Sequence, residues 1–222
     1  MIFMSFPARL RPSEDIHGFL VEQLNQTLRR PGMYGGEAAV RLVIDHLAYV
    51  ERSEAAVAGH YEAMESCGSF IVTGATEAFS RLIPDSNEYG MASVYAEFAR
   101  EREWLWMERL LSADDYATMA GMVEPWLKED RMLSDVLGVF GEPSIFFGGS
   151  NPRYGKTLAY ASVAPDDPMV FFHLWNGSDP ETGAPWPAYD EPVLFAVRRG
   201  SGRFDQRFTF TPKGERLRLA LA

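Results

Sequence analysis

The chain of 222 residues has a single cysteine, Cys67, so no disulfide can form within it. That suits a reducing compartment, and a cytoplasmic location is the expectation. No apolar run approaches the ~20 residues of a membrane-spanning helix, so no membrane partner is expected. The opening MIFMSFPARLRP carries too short an apolar run for a secretory signal peptide. There is no Gly-x-Ser-x-Gly elbow and no zinc-ligand spacing, and Cys67 has no histidine near it beyond His60. No residue is therefore nominated as catalytic or as a metal ligand, and no cofactor is expected. Positive charge is also short: 21 Lys and Arg stand against 31 Asp and Glu, a net of -10. Residues 1–140 hold 12 basic and 22 acidic residues and account for the whole excess, while residues 141–222 hold 9 of each. Such a field disfavours phosphate backbones, which need Lys and Arg, so nucleic acid is not an expected partner. The same field would steer a basic partner.

What is present is a core. An apolar fraction of 46% with 13% aromatics describes a globular chain. In the acidic part, residues 1–140, the apolar positions recur at helical spacing. Ser13 opens a helix with Glu14 and Asp15 in its first turn and Ile16, Phe19, Leu20, Leu24 and Leu28 on one face. Glu51–Ser66 reads as a continuation of the preceding helix or a separate one, broken near Gly59, and Cys67-Gly68 as its stop. Ser69–Ala75 fits a short strand or a turn. Pro84-Asp85-Ser86-Asn87 is turn chemistry. A long helix is predicted over about Ala92–Leu111, with Glu97, Glu101, Glu103 and Glu108 alternating with Arg100, Arg102 and Arg109 on an exposed charged face. Ser112-Ala113-Asp114-Asp115 caps the next helix, and a last one runs over about Glu129–Leu137 to a stop at Gly138.

The centre of the first part is Thr27–Val50. Pro31 bars the α conformation at Arg30 and ends one helix; Gly35 and Gly36 permit a sharp turn into the next. Val40, Val43, Ile44, Leu47 and Val50 then form an amphipathic stripe. Met33 and Tyr34 either plug the gap between the helices or, with Arg29 and Arg30, form an exposed recognition corner. The string RRPGMYGG resembles the Arg-Pro-Gly-Met-Tyr segment of the gyrase-type ATPases. In that family the following helix supplies a Glu-Asn pair and a later Asp-x-Gly-x-Gly holds adenine. Here Asp45-His46-Leu47-Ala48 stands where the pair is needed and no Asp-x-Gly-x-Gly occurs, so ATP binding is rejected. Over roughly Leu24–Val50 the chain also resembles small uncharacterised bacterial proteins with an Arg-Pro-x-Met-Tyr-x-Gly turn. Some of those look like immunity proteins of polymorphic toxin systems. That resemblance implies a protein that neutralises a toxin by occluding it.

From residue 141 onward, runs shorten to strand length and Pro and Gly become frequent. Strands are predicted near Ser144–Phe147, Thr157–Val163, Met169–Trp175, Val193–Arg198, Arg207–Thr211 and Arg216–Leu221. The last two alternate apolar and polar residues about Thr211–Glu215 and read as a hairpin, with Leu219 and Leu221 facing a core. The fold class is α+β, a helical N-terminal part packed on a mainly antiparallel sheet; whether residues 1–140 and 141–222 share one core stays open. The Gly148–Lys156 loop looks like a phosphate loop but lacks the earlier glycine of a Walker A motif and leads into a strand. The Asn176–Pro192 loop is long, holds four prolines and displays Trp186 and Tyr189. Trp186 serves as a binding anchor or folds back over the sheet edge.

Two functions follow. A protein-binding module would use Arg29, Arg30, Met33, Tyr34, Trp186 and Tyr189 against a protein partner, a basic toxin in the immunity-type reading. A small-molecule-binding domain or enzyme would place its site around Arg153, Tyr154, Lys156 and His173. A third possibility is a subunit of a larger assembly; the oligomeric state is not legible in the sequence.

Overall fold

Residues 13–83 and 88–221 are described by a computed structural model, the last three as backbone only. The helical part runs α1 (Ser13–Arg29), α2 (Pro31–Tyr34), α3 (Gly36–Glu51), α4 (Glu54–Cys67), α5 (Ala75–Ser80), α6 (Glu88–Glu101), α7 (Ala113–Trp126) and α8 (Leu133–Phe140). Strands β1 (Ile145–Phe147), β2 (Lys156–Tyr160), β3 (Val170–Trp175), β4 (Val193–Arg198) and β5 (Phe208–Phe210) follow, and α9 (Pro212–Leu221) ends the described chain. The strands form one antiparallel meander in the order β1-β2-β3-β4-β5. The class is α+β. The predicted Pro84–Asn87 turn and the side chains of Leu219 and Leu221 lie outside the described residues.

The sheet is covered on both faces because its strands are apolar on both faces. VFFHLW and VLFAVR barely alternate, and every residue of β2, β3 and β4 is buried. One face sets Phe171, Trp175 and Phe195 against Leu24 and Leu28 of α1, Ile44 and Leu47 of α3 and Tyr95 of α6. The other sets Tyr160, Phe172 and Leu194 against Met119 and Val123 of α7 and Val136 and Phe140 of α8. The first cluster draws buried residues from both sides of residue 140.

Local signals explain most boundaries. α1 stops at Arg29, one residue short of the position that Pro31 restricts. Ser112 accepts the Asp115 amide at 3.1 Å and caps α7. Gly68 takes φ 86° and ends α4. The region from Glu51 is a separate helix, but it breaks at Arg52 (φ 56°) and carries Gly59 in its interior. Ser69–Ala75 is a turn closed by an Ile71–Gly74 bridge.

Four expectations are corrected. The long helix stops at Glu101, not Leu111, because Trp104 turns inward and its indole N–H donates to Glu51 at 2.6 Å. The chain beyond runs extended, and Leu111 exchanges backbone hydrogen bonds with Ala161 and Val163. The charged face is solvated only in part: Glu101, Glu103 and Glu108 are exposed, while Glu97, Arg100 and Arg102 are tied to other segments. Glu97 receives Arg198 at 2.7 Å and also Arg207, Arg100 donates to the carbonyls of Ser162, Ala164 and Asp167, and Arg102 pairs with Glu51. The helix placed at Glu129–Leu137 is Leu133–Phe140 and stops at Gly141, not Gly138.

The largest correction is at the C-terminal end. The second strand of the predicted hairpin is the helix α9. Thr211 Oγ1 accepts the Gly214 amide at 3.0 Å and Pro212 follows, which is helix-start chemistry. Gly214 lets the helix lie against β4: a Cβ there would sit 1.9 Å from the Phe195 carbonyl oxygen.

Candidate binding cleft

Two loops flagged in the sequence meet at one end of the sheet, and side chains rooted in the core hold them. Lys156, buried at the start of β2, donates from Nζ to the Gly149 and Asn151 carbonyls at 3.2 and 2.5 Å and closes the first loop. Asn176, just past β3, joins it to the second. Its Nδ2 donates to Arg153 O at 2.7 Å and to Tyr189 O at 2.9 Å, and its Oδ1 accepts the Tyr189 amide at 3.0 Å. Deeper in the second loop, Asp179 accepts from the Tyr189 hydroxyl at 2.5 Å and from Lys213 Nζ at 3.0 Å. Burial alone would push the Asp179 carboxyl up; the bonds from Tyr189 and Lys213 outweigh it and hold the group well below the usual carboxylate range. The loop is therefore tied to α9.

Between the loops lies a cleft of about 410 Å³, lined by Tyr89, Tyr154, Trp175, Asn176, Ser178 and Trp186 among others. Tyr154 from one loop and Trp186 from the other lie with ring centres 5.3 Å apart at 34°. Both are open to solvent, at 41% and 54% exposure. The Arg-Pro-Gly-Met-Tyr corner adjoins this end. The Gly148 amide donates to Arg29 O at 2.9 Å. The Glu88 carboxylate lies 2.6 Å from where a Cβ on Gly32 would stand, so α2 presses on the start of α6.

The nominated residues divide accordingly. Arg30, Met33, Tyr34, Arg153, Tyr154 and Trp186 are exposed. Met33 is 73% exposed, so Met33 and Tyr34 do not plug the gap between the helices, and Trp186 does not fold back over the sheet edge. Arg29 is an internal tie, donating to Asn25, to the Trp106 carbonyl and to Glu108. Tyr189 supports the loop from within through Asp179. Lys156 is likewise committed to its own loop.

His173 is buried in the core, with Thr157 Oγ1 at 3.1 Å from its Nδ1 and the Phe79 and Phe208 rings around it. Burial, with Arg198 nearby, holds its imidazole well below the usual histidine value and so neutral. The cavity it shares with Phe79, Lys156, Thr157 and Trp175 is about 10 Å³, room for about one water. Tyr89, Asn176, Asp179 and Lys213 were not nominated from sequence. Asn176 had a readable signal, an amide side chain between a strand end and Gly-Ser, where local backbone bonding is favoured.

Among the described residues no group of three or more His, Cys, Asp or Glu is placed to hold a metal ion. No described helix is long and apolar enough to cross a membrane. No protein-family model, curated protein or solved structure matches the chain.

Proposed function

We propose that this chain is a binding protein that acts by covering part of a protein partner, as an immunity-type protein covers a toxin. The observation that carries the reading is the pair Tyr154 and Trp186: large rings open to solvent, on loops whose backbones are tied down by Asn176 and Lys156. Aromatics held in place before binding lose little freedom on association and make effective anchors. Met33 and Tyr34 extend the exposed apolar surface on the neighbouring corner. The acidic excess in residues 1–140 favours a basic partner through steering, and the single cysteine favours a cytoplasmic setting. The test is co-expression with the product of the adjacent gene. The expected result is rescue of growth and a complex at micromolar concentration, both lost in the double variant Trp186→Ala, Tyr154→Ala. No complex and no rescue would retire the reading.

The volume of the cleft favours one alternative, a small-molecule-binding domain whose site is the aromatic pair and not His173. A thermal-shift screen separates the two. A compound that raises the melting temperature of the native chain, but not of Trp186→Ala, supports the alternative.

A further inference from the structure

The hydrogen-bonding capacity of the cleft narrows what it can hold. Both polar atoms of the Asn176 side-chain amide are committed to the loops, and Ser178 Oγ already accepts the Trp186 amide at 3.1 Å. The Tyr154 hydroxyl and the Trp186 indole N–H make no hydrogen bond to any described residue. Among the described residues no charged side chain lines the cleft. The ion pair Arg153–Asp190, beside Tyr154 and Tyr189 in the two loops, is 3.8 Å long and solvated, with side chains 59% and 104% exposed. An ionic ligand would therefore find no charged partner among these lining residues. A sugar would need several converging donors and acceptors; the amide of Asn176 is committed to the loops, and the groups left open, the Trp175 and Trp186 indole N–H and the Tyr154 hydroxyl, are chiefly donors.

The two rings are also too close to hold a flat group between them. Their centres are 5.3 Å apart, and a sandwich needs about 7 Å, twice an ordinary carbon contact. They instead offer a tilted apolar platform with two open donors at its surface.

We propose that this cleft takes an uncharged, proline-rich segment of the protein partner in the polyproline II conformation. Prolyl rings would pack on Tyr154 and Trp186, and the segment's carbonyls would accept from the indole N–H and the phenol. Such a segment makes no internal hydrogen bonds, so its carbonyls are free, and it enters with little conformational freedom left to lose. Neutral lining and neutral segment match in charge. This inference rests on the protein-binding reading above.

The experiment is a calorimetric titration of the full chain with an oligoproline peptide, a Gly-Ser peptide of equal length and a neutral oligosaccharide. Saturable binding of oligoproline alone is the expected result. Trp186→Ala and Tyr154→Ala should each weaken it about tenfold or more. Trp186→Phe, which keeps a ring and removes the N–H, should fall between them and the native chain. Tyr49→Ala, an exposed aromatic on α3, should bind as the native chain does. Equal binding of the Gly-Ser peptide, preference for the oligosaccharide, or native affinity in both Ala variants would overturn the proposal. If the adjacent-gene product binds and oligoproline does not, this inference falls and the protein-binding reading stands. If neither binds, both fall.

Discussion

The two faces of the sheet are filled by different physics. Toward α1, α3 and α6 the core contains charge: fully buried Arg198 donates to Glu97 at 2.7 Å and to the Ser93 carbonyl at 3.0 Å, with its guanidinium 4.2 Å from the centre of the Phe171 ring. His173 is buried on the same side. Toward α7 and α8 the centre of the face is rings on rings, with Phe172 packed against Phe140 at 5.0 Å and Tyr160 at 5.3 Å. The apolar face is held by area and shape, which tolerate small shifts of a helix. On the polar face a shift of α6 would leave Arg198 buried without its carboxylate, a far steeper penalty. The polar face thus fixes where α6 starts, and Tyr89 at that start lines the cleft.

That contrast can be broken by substitution. The largest effect is expected for Glu97→Ala, which leaves Arg198 and Arg207 without their shared carboxylate and should cost about 4 kcal/mol in urea unfolding. Replacing Glu97 and Arg198 together by apolar residues should recover much of that loss. Phe172→Ala on the other face should cost about 3 kcal/mol through the cavity it leaves, with no recovery from a second truncation.

Acid should act on the polar face first. Burial holds His60, stacked 3.9 Å from the Phe98 ring of α6, down at about 4, and holds His173 well below its usual 6.5. A histidine with a lowered folded value takes its proton more readily in the unfolded chain. Stability is therefore whole above the ordinary histidine value and falls as pH drops through it, His60 contributing until about pH 4. Asp179 adds a loss only at more acid pH, as its lowered carboxyl is protonated. Urea midpoints should be lower at about pH 5 than at about pH 7, and His60→Phe should flatten part of that slope. Amide exchange should rise in α6 before α7. The smallest effect is expected for Trp186→Ala, which should change stability by less than about 0.5 kcal/mol while weakening binding.

Much of the fold was legible before the structure. Strong local signals were read correctly: Pro31 after α1, Ser112 before α7, Gly68 after α4, and the apolar runs of β3 and β4. The errors came where local and distant signals compete. Leu217, Leu219 and Leu221 alternate like a strand, yet the Thr211-Pro212 cap and the bare backbone of Gly214 against β4 make that segment a helix. Glu97 and Arg102 look like part of a solvated face because their partners, Arg198, Arg207 and Glu51, lie far away in the chain. The candidate site divided in the same way. The two loops and the exposed rings Tyr154 and Trp186 could be named from composition. That Arg29 turns inward could not, since the Trp106 carbonyl and Glu108 that hold it lie far away in the chain; nor could the inward turn of Lys156 and Tyr189, which close their own loops through contacts that no motif records.

The sequence by itself determined the class of the fold, the helix starts and stops written in prolines, glycines and capping side chains, and the net charge of -10. These are local or summed properties, carried by a few neighbouring residues or by composition. Only the tertiary structure decided that helices cover both faces of the sheet, that Glu97 and Arg198 are internal, and that Tyr89, Tyr154 and Trp186 share one cleft. Those outcomes depend on hydrogen bonds and close packing between residues distant in the chain, and no period or motif records such distances.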